Sequence, residues 1–96
     1  MSETTKNPIT NEPTDAQQRT ANHFYMVTLK FLSDCIKDLN PREQPEHIAA
    51  IADVVSDNLT VLGISRAITD VQAEFLAKQL NHALHVFIEE RMKELQ

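Results

Sequence analysis

Apolar residues recur at helical spacing in three long stretches of the chain. Within each stretch they follow one another at intervals of three and four residues, as on one face of an α-helix. Pro41 and Pro45 separate the first stretch from the second, and Gly63, the single glycine, separates the second from the third. The pattern predicts an all-α fold, a small bundle of three long antiparallel helices joined by short loops. The predicted helices span about 14–39, 45–62 and 66–95.

Residues suited to helix ends support these boundaries. Thr14 or Asp15 can accept a hydrogen bond from the free N–H groups where the first helix begins. Gly63 is predicted to adopt the left-handed conformation that closes the second helix. Thr69 and Gln72 have the spacing of a capping box at the start of the third helix.

Residues 1–13 do not share the helical pattern. This segment, MSETTKNPITNEP, has two prolines, and Ile9 is its one bulky apolar residue after Met1. It has too little apolar surface to offset the entropy lost on ordering, so we expect a flexible N-terminal tail. Residues 14–96 are predicted to form a single helical domain.

The second helix separates apolar from acidic residues most cleanly. Its apolar residues form a stripe about 100° wide on the helical wheel, and Glu46, Asp53 and Asp57 lie almost opposite. There is no Lys or Arg from Gln44 to Leu62, so the helix does not neutralise this acidic row itself. The row is either a solvated face or a docking stripe for a partner protein with a basic surface.

The third helix is apolar on two sides. Besides its main stripe it carries a second set of residues on a different face, and we predict that this set mediates self-association. The first helix also has a broad apolar face, about 160° wide, which fits a helix that contacts two other helices or a second chain. We expect a second subunit to complete the bundle as a homodimer. The alternative is that the second set packs within the same monomer. The set comprises Ile68, Val71, Phe75, His82 and Val86.

Charge and cysteine content narrow the function classes. The chain of 96 residues has 14 acidic and 9 basic residues, a net charge of −5. Nucleic-acid binding needs clustered basic residues, so we expect no nucleic-acid partner. We also expect no membrane segment and a cytoplasmic location. Cys35 is the single cysteine, which excludes an intramolecular disulfide and favours a thiol packed in the core.

Three potential metal ligands share one side of the third helix. His82 and His85 are three residues apart, and Glu89 follows four residues later, so their side chains can converge. A single helix seldom supplies a complete ligand set, and a further ligand would have to come from elsewhere. We therefore expect no metal and no cofactor, with these three residues as the candidates for the alternative.

No motif of a nucleotide-binding loop, a hydrolase nucleophile or a metalloprotease is present in the sequence. The chain is therefore predicted not to be an enzyme. We expect a non-catalytic protein that acts by protein–protein interaction, as a regulator or inhibitor of a larger partner. One alternative is a helical bundle that binds a metal or small ligand. A second is an acidic mimic of nucleic acid, of the phage-inhibitor type.

Overall fold

The computed structural model describes residues 12–96 and contains three α-helices in that range. They are α1 (Asp15–Lys37), α2 (Pro45–Ile64) and α3 (Asp70–Glu94). No strand occurs within residues 12–96, and the predicted all-α bundle is confirmed. Its completion by a second subunit stays a prediction. Most of the predicted flexible tail, residues 1–11, lies outside the described residues.

The direction of each helix follows from hydrogen bonds at the two ends of the bundle. Near the N-terminal ends of α1 and α3, Gln17 Nε2 donates to the Arg66 carbonyl at 3.1 Å. At the opposite end, Arg91 Nε donates to the Leu39 carbonyl at 2.8 Å. The helices α1 and α3 therefore run parallel, and α2 runs antiparallel to both. The most extensive packing is between α1 and α3, whereas α1 and α2 touch least.

The apolar core is formed mainly by α1, α3 and the turns that flank them. Among the 20 residues of Pro45–Ile64, only Leu59 is buried. Other apolar residues of α2 are partly buried against the core, and the helix is held less deeply than its neighbours. The buried apolar residues are Ala21, Leu32, Ile36, Leu39, Leu59, Ile68, Leu76, Leu80 and Leu84.

Two capping boxes fix the starts of α1 and α3. The predicted box at Thr69 is confirmed, because the Thr69 hydroxyl accepts from the Gln72 N–H and the Gln72 side chain accepts from the Thr69 N–H. Thr14 and Gln17 form the same arrangement at the start of α1. Each cap contributes about 1 kcal/mol to stability. The third helix thus begins at Asp70, four residues later than the predicted residue 66, because the cap fixes its first turn there.

The prediction that Gly63 closes α2 in the left-handed conformation is wrong. The helix continues to Ile64, and Arg66 takes the left-handed conformation, with φ of 66°. The Ala67 N–H donates to the Leu62 carbonyl at 2.9 Å, and the Arg66 N–H donates to the Gly63 carbonyl at 3.1 Å. These two bonds make a Schellman motif whose left-handed position is Arg66. The glycine therefore lies three residues before the position where glycine would relieve strain.

Moving the glycine should stabilise the protein. A Cβ added at Gly63 would lie 4.0 Å from the Ala73 Cβ, an ordinary contact, so Gly63→Ala should add about 0.5–1 kcal/mol by favouring helix. Arg66→Gly should add about 1 kcal/mol, because glycine adopts the left-handed conformation without a Cβ clash. Urea denaturation of each variant measures the change in the free energy of unfolding.

Arg66→Ala is the control for the second substitution. It removes the pair between Arg66 Nη1 and Asp70 Oδ2, which are four residues apart in sequence, 3.9 Å apart in space and exposed, but it keeps a Cβ at the strained position. We expect no stabilisation from this control. Equal gains from alanine and glycine would show that backbone strain is not the cause.

Candidate interaction surfaces

An uncharged apolar surface lies where α1 and α3 meet near their N-terminal ends. Val71 and Phe75 of α3 are 62% and 60% exposed. Beside them is a cavity of about 560 Å³, and the described residues that line it include no charged side chain. We call this surface the Phe75 face. The cavity is lined by Gln18, Ala21, Asn22, Tyr25, Val71, Gln72, Phe75, Leu76 and Gln79.

The structure divides the residues predicted to mediate self-association. Ile68 does not belong to an outer surface, because it is 0% exposed and lies in the core. It precedes the first residue of α3, so the helical wheel that placed it beside Phe75 does not apply to it. His82 is exposed and Val86 is half-buried. Val71, Phe75, His82 and Val86 remain available to a second chain.

The core position of Ile68 predicts a large effect of truncation. Ile68→Ala should lower the free energy of unfolding by about 2–5 kcal/mol, through lost burial and the cavity left behind. Val61→Ala is the matched control, since Val61 is 62% exposed, and it should change stability by less than about 0.5 kcal/mol. Urea denaturation measures both, and similar small changes in the two variants would contradict the core assignment.

A second surface is an open groove between α2 and α3, which we call the α2–α3 groove. Its volume is about 590 Å³. Apolar side chains line it, including Leu32 of α1 and Leu80 of α3, both of which are buried in the core. The residues from α2 are Ala52, Asp53, Val55, Ser56, Leu59, Thr60, Gly63 and Ile64. Those from α3 are Asp70, Ala73, Glu74, Ala77, Leu80, Asn81 and Leu84.

The charged side chains of the α2–α3 groove are all acidic. Asp53 belongs to α2, and Asp70 and Glu74 belong to α3; the described lining residues include no Lys or Arg. Asp70 pairs with Arg66, whose Nη1 lies 3.9 Å from Asp70 Oδ2 in an exposed contact. An ion pair that is exposed to solvent and 3.9 Å long neutralises little of the carboxylate charge. The groove therefore has a negative edge on each of its two helices.

The predicted acidic row of α2 is only partly involved in this groove. Glu46, Asp53 and Asp57 are all exposed, but Asp53 is the one that lines the groove. Glu46 lies beside His47, with Oε2 and Nδ1 3.9 Å apart. Asp70 and Glu74 were missed by the sequence reasoning, because their role depends on how α3 turns relative to α2. One sequence feature does point to them: Asp70 and Glu74 lie in the first turns of α3, which follows α2 after a short loop, so they must lie near the end of α2.

The candidate metal ligands are exposed on α3. His82, His85 and Glu89 all face solvent. Within residues 12–96 there is no group of three or more His, Cys, Asp or Glu side chains that could hold a metal ion. No observation therefore supports a metal site in this part of the chain.

Cys35 is half-buried and is not among the core residues. Burial raises the pKa of its thiol, and the negative charge of Asp34 raises this pKa further. Asp34 itself pairs with Lys30 at 3.2 Å in an exposed contact. The thiolate is the reactive form of cysteine, so both effects make Cys35 less reactive near neutral pH.

This environment predicts a shifted alkylation profile. The rate of Cys35 alkylation by iodoacetamide should rise with pH along a curve displaced to higher pH than that of the urea-unfolded protein. Asp34→Asn should move the curve part of the way back, because burial is the larger cause. Glu89→Gln, which removes a charge elsewhere, should leave it unchanged.

The sign of the linked stability effect follows from the same shift. Folding raises the pKa of the Cys35 thiol. The contribution of this thiol to the free energy of unfolding is therefore fully present below the pKa of the unfolded chain, and it is lost as the pH rises through the pKa of the folded protein. If the alkylation rate of the folded protein followed the same pH curve as that of the unfolded chain, the raised pKa of Cys35 would be contradicted.

The apolar character of α2 also meets a simple test for membrane-spanning helices. By length and composition alone, Pro45–Ile64 could cross a membrane, which on its own is weak evidence. Asp53 and Asp57 lie near the middle of this helix, and inserting each of them at the centre of a bilayer costs about 2.5–3.5 kcal/mol. Insertion of α2 into a membrane is therefore opposed by these two carboxylates, whereas docking of a partner protein leaves them in contact with water or with basic side chains.

Comparison of the chain with protein-family models, with curated proteins and with solved structures found no match. Function is therefore argued from the residues themselves. In the described part of the chain, the Phe75 face and the α2–α3 groove each combine a concave surface with exposed apolar side chains.

Proposed function

We propose that this protein acts without catalysis, through protein–protein contacts, as a self-associating regulator or inhibitor of a larger partner. The observation that carries the proposal is the Phe75 face, an exposed aromatic side chain next to an uncharged cavity. Exposed apolar side chains grouped beside a pocket are found at interaction sites. Interface centres are depleted in charged residues and enriched in aromatic ones, which is the composition found here.

The geometry of the Phe75 face suits contact with a second copy. In a two-fold symmetric dimer the same patch of both chains meets itself. Phe75 of one copy can enter the cavity beside Phe75 of the other, and the reverse contact forms at the same time. The side chains of Gln18, Asn22 and Gln79 line this cavity. Gln18 Nε2 donates to Asn22 Oδ1 at 3.2 Å, and the second N–H and the further lone pairs of these amides can serve the opposing chain. No like charges in the described lining oppose the contact.

The acidic residues of α2 support a second, different partner. Glu46, Asp53 and Asp57 are exposed and lie on a helix without a Lys or Arg, so they can attract a basic surface. Such attraction speeds association and gives specificity more than it adds affinity. The nucleic-acid mimic rests on these same carboxylates, and no separate observation favours it.

Sedimentation equilibrium tests the self-association. We expect the wild type to form dimers and the double variant Val71→Asp/Phe75→Asp to be monomeric, because burying two carboxylates per chain at a symmetric contact is strongly unfavourable. Both positions are exposed in the monomer, so its fold should survive, which circular dichroism checks.

Val54→Asp/Val61→Asp is the matched control, since both residues are exposed valines on α2. It should leave the dimer intact. Loss of the dimer in this control alone would move the interface to α2. A wild type that stays monomeric throughout the concentration range would contradict self-association altogether.

Salt provides a second test of the same contact. Each copy carries a net charge of −5, so two copies repel one another at a distance. Raising the ionic strength shortens the screening length from about 10 Å at 0.1 M to about 3 Å at 1 M, so the dimer should strengthen. A dimer weakened by salt would indicate ion pairs rather than the uncharged Phe75 face.

A further inference from the structure

We propose that the α2–α3 groove binds an amphipathic helix of a partner protein, one whose apolar stripe is flanked by Lys or Arg on both sides. The inference rests on the proposed function and deepens it, because it names the chemistry and shape of the partner. It involves a surface separate from the Phe75 face, so the two can be tested apart.

The shape of the groove suits a helix. Its lining runs along α3 from Asp70 to Leu84, 14 residue steps, and along α2 from Ala52 to Ile64, 12 residue steps. At about 1.5 Å per residue these walls are about 21 Å and 18 Å long. A trough of that length accommodates about three to four helical turns, and recognition of helices in grooves uses anchors at i, i+3 or i+4, and i+7.

Small residues explain why the groove is open. Ala52, Ala73 and Ala77 belong to its walls, so the surfaces of α2 and α3 at these positions leave space that larger side chains would fill. Leu80 and its buried neighbours form an apolar floor. Apolar side chains of a partner would therefore meet an apolar surface, and their removal from water would drive binding.

Charge identifies the kind of partner. Asp53 stands on the α2 side of the groove, and Asp70 and Glu74 stand on the α3 side. A helix lying between them with Lys or Arg on both flanks would meet a carboxylate on each wall. A second copy of this chain would instead bring its own three carboxylates and place six at one contact. An anionic membrane surface would be repelled in the same way.

The test uses a synthetic helical peptide of about 16 residues, with Leu anchors at i, i+4 and i+7 and Lys or Arg on both flanks. A second peptide carries Glu in place of each Lys and Arg. Fluorescence anisotropy measures binding of each labelled peptide to the full chain. We expect the basic peptide to bind at least about tenfold more tightly, and its affinity to fall as salt is raised.

Two variants locate the binding site. Asp53→Asn/Glu74→Gln should weaken the basic peptide by about tenfold, because one carboxylate is lost from each wall. Ala77→Trp should abolish binding by filling the groove; residue 77 is exposed, so the change should be compatible with the fold. Circular dichroism and urea denaturation confirm that each variant is folded.

Glu89→Gln/Glu90→Gln is the matched control. It removes the same charge from exposed positions of α3 that do not line the groove, so it should have little effect on the peptide. An equal loss in this control would show general charge attraction and would overturn the site. Undiminished binding to the folded Ala77→Trp variant, or equal affinity for the two peptides, would also overturn it.

The remaining arms separate this inference from the proposed function. Peptide binding is repeated on Val71→Asp/Phe75→Asp, where it should not be weakened, because the groove is intact and the two added carboxylates attract a basic peptide. If the basic peptide does not bind while the dimer still depends on Phe75, only the proposal for the α2–α3 groove is overturned, and the proposed function stands. Co-sedimentation with neutral phosphatidylcholine vesicles tests the competing occupant. If the protein sediments with the vesicles and does not bind the peptide, the groove proposal is overturned in favour of a membrane surface.

Discussion

The parallel packing of α1 against α3 is the contact on which the rest of the molecule depends. Most of the buried apolar residues belong to these two helices or to the turns beside them, whereas α2 has one fully buried residue, Leu59. Gln17 and Arg91 hold the two ends of the α1–α3 pair through bonds to backbone carbonyls. Since Arg91 bonds to Leu39 in the turn after α1, it also fixes the point from which the chain turns towards α2.

Both candidate interaction surfaces follow from this arrangement. With α1 occupying one side of α3, Val71 and Phe75 remain at the seam between the two helices without a covering element. On the other side of α3, α2 approaches through small residues and leaves the groove open. The two surfaces differ in charge, one uncharged and one acidic, which is why they are assigned to different kinds of partner. Their positions on opposite sides of α3 would allow both to be occupied together.

The helices themselves could be predicted from spacing and from end signals, because proline, capping threonines and apolar periodicity act locally. Thr69 with Gln72 is the clearest case. The errors occurred where tertiary context decides the conformation. Glycine favours the left-handed region, so sequence alone points to Gly63 at the end of α2, yet Arg66 takes that conformation. Ile68 lies in the turn before α3, where a helical wheel does not apply, and it is buried in the core. The α3 side of the groove depends on how the helices pack, which local sequence does not encode.

The shallow burial of α2 has a consequence for the order in which the fold opens. Parts of a protein with few buried contacts unfold locally at lower free energy than the whole. Among the described helices, α2 is the least anchored, so its amide hydrogens should exchange with solvent ahead of those in α1 and α3. A helix seated beside α2 would slow that exchange, coupling recognition to local order. The same segment would then be both the least stable part of the free protein and the part most changed by its partner.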